Sequence, residues 1–292
     1  SPQDTFILNG NRTTPTTPSW LFADRLRGIL GNVMHGSGSP VLDSTSSSPE
    51  VVRSSTPYID NQSYSAGITF TPSGNNLVYR LARKPGVYDV VCFTGTGSNM
   101  SVSHNLGVAP ELIIYKLRSA SGEWVVSYRM SATTETSMTL SAASTGSGNI
   151  AYGTTAHTAQ PNANTIFLSA NNPNINAPGA TCIARMFATK AGISKIGEYL
   201  GTDTPQTIDC GFSTGARFIL IKRTTGTGDW FVWDATRGII AGNDPHLSLN
   251  TSAAEVTSDD SIDPAPSGFI VNQVAATNIN ASGSGYLYVA IA

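Results

Sequence analysis

Apolar residues in this chain gather in short runs between turn residues, and the runs return at a fixed distance. Leu112-Ile113-Ile114-Tyr115-Lys116-Leu117 and Phe218-Ile219-Leu220-Ile221-Lys222-Arg223 are apolar segments of strand length. Each leads through a glycine-containing turn, Ser119-Ala120-Ser121-Gly122 or Thr225-Gly226-Thr227-Gly228, into Trp124-Val125-Val126 or Trp230-Phe231-Val232-Trp233. Strand, glycine turn, strand is a hairpin signal. Ile68-Thr69-Phe70, Thr165-Ile166-Phe167-Leu168 and Gly268-Phe269-Ile270-Val271 supply a further strand late in each stretch. No segment sustains an apolar period of 3.6 residues between caps, so helices are not expected. Continuous apolar runs predict strands covered on both faces, between sheets or at contacts between repeats.

The repeat can be read position by position. Lys84, Gly86, Phe93, Gly95, Lys116, Glu123 and Trp124 match Lys190, Gly192, Tyr199, Gly201, Lys222, Asp229 and Trp230, each pair 106 residues apart. Asn174-Ile175-Asn176-Ala177 returns as Asn278-Ile279-Asn280-Ala281 at an offset of 104. The closing strands, residues 182–188 and 286–292, occupy the same place. Upstream, Trp20, Asp24, Arg27, Gly28 and Ile29 precede Trp230, Asp234, Arg237, Gly238 and Ile239 by 210, two repeat lengths. This first copy has no counterpart of residues 84 to about 110, and Phe6-Ile7-Leu8 reads as its second strand. The chain therefore divides into units 1–83, 84–189 and 190–292. It is expected to be all-β: tandem antiparallel β-sandwiches, jelly-roll-like, the first incomplete. Either an N-terminal portion is missing from the first unit, or that unit borrows a strand from a neighbour.

Composition narrows the function classes. Only 12% of residues are charged, about half the usual share, while 40% are hydrophobic, enough to build a core. The polar remainder is Ser, Thr, Asn and Gly, poor in helix interiors and at home in strands and turns. A net charge of -2 leaves no basic footprint for a nucleic-acid partner. No apolar run reaches the ~20 residues of a membrane span, so no membrane insertion is expected. The start, Ser1-Pro2-Gln3-Asp4, shows no signal-peptide pattern. Cys92, Cys182 and Cys210 follow no disulfide or C-x-x-C spacing and read as small buried hydrophobes.

Candidate chemistry is sparse. Trp20, Trp124 and Trp230 recur in every unit and read as structural core anchors. Trp233, which aligns with Ser127 and Ala23, and Tyr64, in a polar stretch, do not recur; they are the binding candidates. Asp259, Asp260 and Asp263 cluster as a glycosidase pair or a cation site would, but lack the glycine-centred spacing of a calcium loop. A solvated loop is expected there. His35, His104, His157 and His246 stand apart with no metal-ligand spacing. No nucleophile elbow or P-loop occurs, so neither catalysis, metal nor cofactor is expected.

Three motifs carry a resemblance. Cys92-Phe93-Thr94-Gly95-Thr96-Gly97 opens the second unit and returns, degenerate, as Tyr199-Leu200-Gly201-Thr202. His104-Asn105-Leu106-Gly107-Val108-Ala109-Pro110 forms a turn before an apolar strand ending in Lys. Asn280-Ala281-Ser282-Gly283 precedes the aromatic closing strand Tyr286-Leu287-Tyr288-Val289-Ala290. Together they resemble a repeated β-domain of tail-fibre and other virion proteins of tailed phages, over residues 84–292 and part of the first unit. The third unit departs at the His turn, reading Asp209-Cys210-Gly211-Phe212, so that histidine is expected to serve the turn. The resemblance implies a non-enzymatic virion component: a tail fibre, spike or tip protein, trimeric in preference, that contacts host surface polysaccharide and other virion proteins. A capsid decoration or other structural virion protein without glycan binding is the alternative. A polysaccharide depolymerase is the third reading.

Overall fold

A computed structural model describes residues 5–9, 20–24, 39–53, 58–59, 68–69, 77–129, 134–143, 150–151, 156–170 and 172–292. The first stretch carries β1 (Thr5–Asn9), β2 (Trp20–Asp24), β3 (Ser39–Asp43), β4 (Val51–Arg53), β5 (Tyr58–Ile59), β6 (Ile68–Thr69) and β7 (Leu77–Leu81). The second holds β8 (Tyr88–Thr94), β9 (Met100–Ser103), β10 (Leu112–Leu117), β11 (Val125–Arg129), β12 (Thr134–Thr139), β13 (Ile150–Ala151), β14 (His157–Ala159), β15 (Thr165–Leu168) and, after the one-turn helix α1 (Pro173–Asn176), β16 (Thr181–Phe187). The third has β17 (Ser194–Leu200), β18 (Gln206–Asp209), β19 (Phe218–Arg223), β20 (Trp230–Asp234), β21 (Leu247–Ser248), β22 (Ile262–Ala265), β23 (Gly268–Val271) and β24 (Gly285–Ile291). The chain is all-β, and its paired strands run antiparallel.

Each unit repeats one sheet. β2-β1-β7, β11-β10-β16 and β20-β19-β24 are the same three neighbours, flanked by β3, β12 and β21. β8 and β17 add a strand beyond β16 and β24; among the described residues β7 has no such neighbour. In the second and third units a three-stranded sheet, β14-β15-β9 or β18-β23-β22, covers the other face to make a sandwich.

The apolar runs have two faces to cover. Leu112 and Ile114 of β10 point into one core and Ile113, Tyr115 and Leu117 into another. The second core lies between the two sheets of the unit. The first is shared: Trp20, Phe22 and Leu42 of unit one meet Trp124, Val126 and Met138 of unit two and Trp230, Val232 and Leu247 of unit three. The three units thus pack their main sheets around common apolar ground.

One contact, made three times, closes this arrangement. The indole Nε1 of Trp124 donates to the Asp43 carbonyl at 2.9 Å, that of Trp230 to Thr139 at 3.1 Å, and that of Trp20 to Ser248 at 2.9 Å. The acceptors are equivalent, since each lies opposite the residue that follows a unit's own tryptophan. Unit two therefore holds unit one, unit three holds unit two, and unit one holds unit three: a ring within one chain. Beside it the Gly122 N–H donates to Ser47 and the Gly228 N–H to Ala143. Lys116 Nζ reaches the Ser47 and Gly122 carbonyls at 2.8 and 2.7 Å, and Lys222 Nζ the Gly228 carbonyl at 2.6 Å. Burial drives both lysines down to about 8.

The repeated glycine and Asn-Ala motifs also acquire a reason. A Cβ on Gly95 or Gly201 would strike the carbonyl of Ala177 or Ala281. Asn176 and Asn280 then reach across, accepting from Thr96 and Thr202 N–H at 2.9 and 3.0 Å and donating to Ser98 and Thr204 carbonyls.

The chain passes directly from β7 to β8 and from β16 to β17, joining units one to two and two to three. Units three and one have no such chain connection, and side chains of unit one and unit three meet at their junction. Tyr79, stacked on Trp20, donates its hydroxyl to Asp234 at 2.8 Å and accepts from Arg237 at 3.2 Å. Arg237 also binds Asp234 at 2.5 Å and Glu255 at 3.2 Å. Burial opposes the charge on Asp234, but the Arg237 guanidinium and the hydrogen bonds outweigh it and hold the carboxyl below its ordinary range.

Trp230→Ala should cost about 3–5 kcal/mol, as truncating a buried aromatic does; a urea unfolding midpoint unchanged from wild type would contradict the shared core. Tyr79→Phe should cost about 1–3 kcal/mol by leaving buried charged partners short of a hydrogen bond. Its hydrogen exchange should quicken in β1 and β7 and stay slow in β10 and β19; uniform change would argue against a separable junction.

Candidate functional site

Between the sheets of unit two, β10, β11, β12 and β14 bring four polar side chains into one line. Glu135, wholly buried, accepts the Ala156 and His157 N–H groups on Oε1, each at 3.1 Å. Its Oε2 takes the Ser127 hydroxyl at 2.5 Å and lies 2.6 Å from His157 Nδ1. His157 Nε2 lies 2.7 Å from the Tyr115 hydroxyl. A charge taken out of water needs such saturation. Carboxylate, imidazole and hydroxyl in series is also the order of a nucleophilic relay. Here the terminal hydroxyl is enclosed: Tyr115 has no exposed surface, and burial first, then the Glu135 charge, pushes its phenol well up. The line fixes the outer sheet to the main one.

A shallow recess with room for about one water molecule lies over this line. Ser127 and His157 form its floor, Pro110, Ile113 and Pro161 its walls, and Glu111 and Arg129 its rim. The rim pair stands 3.6 Å apart with the side chains 23% and 30% exposed, and Glu111 also accepts from Thr189 at 2.6 Å.

Unit three fills the same place differently. Ser127 lies opposite Ile113 and Trp233 opposite Ile219, equivalent positions of the hairpin. Trp233, a binding candidate because it does not recur, is completely buried, packed against Phe231 and the His246 ring. Its place on β20 points between the sheets, so the missing repetition reflects a different filling of the sandwich. Asp244 stands where unit two has Glu135, accepting the Ile262 and Ile240 N–H groups at 2.9 and 3.2 Å. Burial drives this carboxyl up; the two N–H groups pull the other way, Asp260 and Asp263 add to the rise, and the result is about 7.

The Asp259, Asp260 and Asp263 cluster is held by Ser261 within it and by Asn272 just beyond β23. Ser261 donates to Asp259 at 3.0 Å, and the Asn272 amide to Asp260 and Asp263 at 2.9 and 3.0 Å. Among the described residues no group of three His, Cys, Asp or Glu could hold a metal ion. His104 serves its turn: Nδ1 accepts the Leu106 N–H and Nε2 meets the Asn162 carbonyl. Cys182 and Cys210 are buried, but Cys92 is exposed, because edge strand β8 alternates partly buried and exposed residues beyond Val90. Tyr64 and His35 lie outside the described residues. Sequence reasoning missed Glu135 and its pairing with His157, 22 residues away. The usable signal was the alignment of Glu135 with Asp244, two carboxylates placed alike before their strands' ends.

A family model described as "Domain of unknown function (DUF7483)" matches residues 37–292. The chain belongs to this family. No curated protein and no solved structure matches it. The DUF7483 match takes in the tryptophan contacts of units two and three, the recess and the Asp244 site.

The linkage at Asp244 has a definite sign. Its folded value, about 7, lies above the ~3.9 of an unfolded aspartate, so folding takes up a proton between them. The stabilisation is complete below about pH 4 and is lost as pH rises through 7. Wild-type unfolding free energy should therefore fall relative to Asp244→Asn over that window; parallel pH profiles would contradict the raised value.

Proposed function

We propose that this chain is a non-enzymatic component of a tailed-phage particle, acting in a tail fibre, spike or tip that contacts host surface glycans. The observation that carries the reading is the set of motifs shared with tail-fibre and virion proteins: the Thr-Gly-x-Gly opening, the His104–Pro110 turn and the Asn280–Gly283 close. Each has a packing role in the fold, so the resemblance extends to the residues that build the units. The surface suits polar contact with sugars, since loops rich in Asn, Ser and Thr join the strands and net charge is -2. The non-enzymatic part of the proposal draws on the enclosure of the Glu135, His157 and Tyr115 line and on the hydrogen bonds that Ser261 and Asn272 give to the three aspartates. No helix among the described residues is long and apolar enough to cross a membrane.

Capsid decoration is the second reading. The closed ring favours it at one point: three alike units about a common core suit a protein that sits on a threefold position of a shell. Homo-oligomerisation, with the trimer preferred, belongs to the same proposal, along with contacts to other virion proteins.

Immunogold electron microscopy of intact particles, with antibody against this chain, separates the readings. Gold should mark the tail tip or fibres. Gold spread over the head would replace the tail reading with decoration, and unlabelled particles from a lysate containing the chain would end both.

A further inference from the structure

Units two and three each contain a segment that has no counterpart among the described residues of unit one: Lys84 to Ser103 in unit two, Lys190 to Asp209 in unit three. Each segment puts one strand into either sheet of its sandwich. β8 lies beyond β16 and β17 beyond β24 in the main sheets, while β9 lies beside β15 and β18 beside β23 in the outer ones. In unit one, β7 and β6 take the places of β16 and β15. Among the described residues β7 pairs only with β1, and β6 only with β5. The two edges that one such segment would cover are therefore open together. An open edge presents a row of backbone donors and acceptors to any extended chain. The side chains around it differ from those at the covered edges. Leu112 is buried, while Phe218, its equivalent at the junction with unit one, packs edge-on against Tyr79 and is only partly buried. Glu111 accepts the hydroxyl of Thr189, the residue before the segment of unit three. Arg217 is the equivalent of Glu111, by the same backbone bonds. It is exposed, and among the described residues its guanidinium has no hydrogen-bond or ion-pair partner.

We propose that the open edges of β7 and β6 are a docking surface for an extended segment of a partner protein, which completes unit one by adding a strand to each sheet. The two counterparts define the chemistry of that segment. Its first strand runs antiparallel to β7 and is about as long as β8 and β17, which have 7 residues each. It sets an aliphatic side chain opposite Tyr79, as Val90 stands opposite Arg185 and Ile196 opposite Val289. Val90 and Ile196 are members of the shared core, so the added residue extends that core over Tyr79 and Phe218. The second strand turns one apolar residue inward, as Val102 and Ile208 do. An Asp or Glu at the start of the segment meets Arg217, reversing the polarity of the contact between Thr189 and Glu111. Backbone pairing supplies the affinity of such strand addition, and the alternate side-chain places supply its specificity.

The segment of unit three is itself the probe. Amide exchange followed by NMR on the full chain should slow, on adding a synthetic peptide of residues 189–209, at β6 and at the β7 amides that point away from β1. Exchange in β16 and β24 should not change. The peptide carrying Thr189→Glu should bind more tightly, by up to about fivefold at low salt, as an exposed ion pair allows. Arg217→Glu in the chain should reverse that preference, and because Arg217 is exposed its charge can be inverted without disturbing the core. The peptide carrying Ile196→Asp should not bind. Slow exchange at the outward β7 amides before any peptide is added would show that the chain covers its own edge, and would overturn the proposal. So would unchanged exchange with both the plain and the Thr189→Glu peptide at millimolar concentration, or slowing that the Ile196→Asp peptide reproduces.

Discussion

The handshake of each tryptophan with the backbone of a neighbouring unit is the contact on which this structure depends. It takes a large aromatic out of water and gives its one donor a partner in the same step, which is how a buried indole is satisfied. Because the acceptor is equivalent each time, three units close on themselves. The shared core then covers the inner faces of all three main sheets, which a lone unit would expose. Small sandwiches gain by this, since burial rises with the size of the folded body.

With so few charges in the chain, the ones taken inside matter more. Lys116 and Lys222 spend their ammonium groups on turn carbonyls at the ring contacts. Arg185 lies 4.9 Å over the Phe22 ring and 5.6 Å over Trp124, at the junction of units one and two. Tyr79 holds the corresponding place at the junction of units three and one, where it meets Asp234 and Arg237. Two of the three junctions thus carry a polar side chain at this place, while the junction of units two and three has Val289 there. Such fastenings specify which surfaces meet more than they add stability, and a ring of similar units needs that distinction.

The two complete sandwiches have diverged inside a fixed frame. Both keep a carboxylate that holds the outer sheet, Glu135 or Asp244. Around it one unit evolved a saturated His157 and Tyr115 line beneath a shallow recess, the other an indole wedged beside His246. The frame carries stability, which leaves the space between the sheets free to vary.

The sequence by itself determined the strands and the repeat. Alternating turns and apolar runs encode local geometry, and Gly95, Asn176, Lys116 and Trp124 recur because each unit needs the same close approach, clasp, turn cap and anchor. It also exposed, through the Trp20 to Trp230 spacing, that three units share one design. Tertiary structure decided the rest. Which backbone a tryptophan binds depends on a different unit, 81, 91 or 228 residues away in sequence, and no local pattern encodes that choice. Glu135 meets His157, and Trp233 turns inward, because strand register and sheet stacking set which side chains face one another. Those are properties of packed surfaces, and they exist only once the strands are in place.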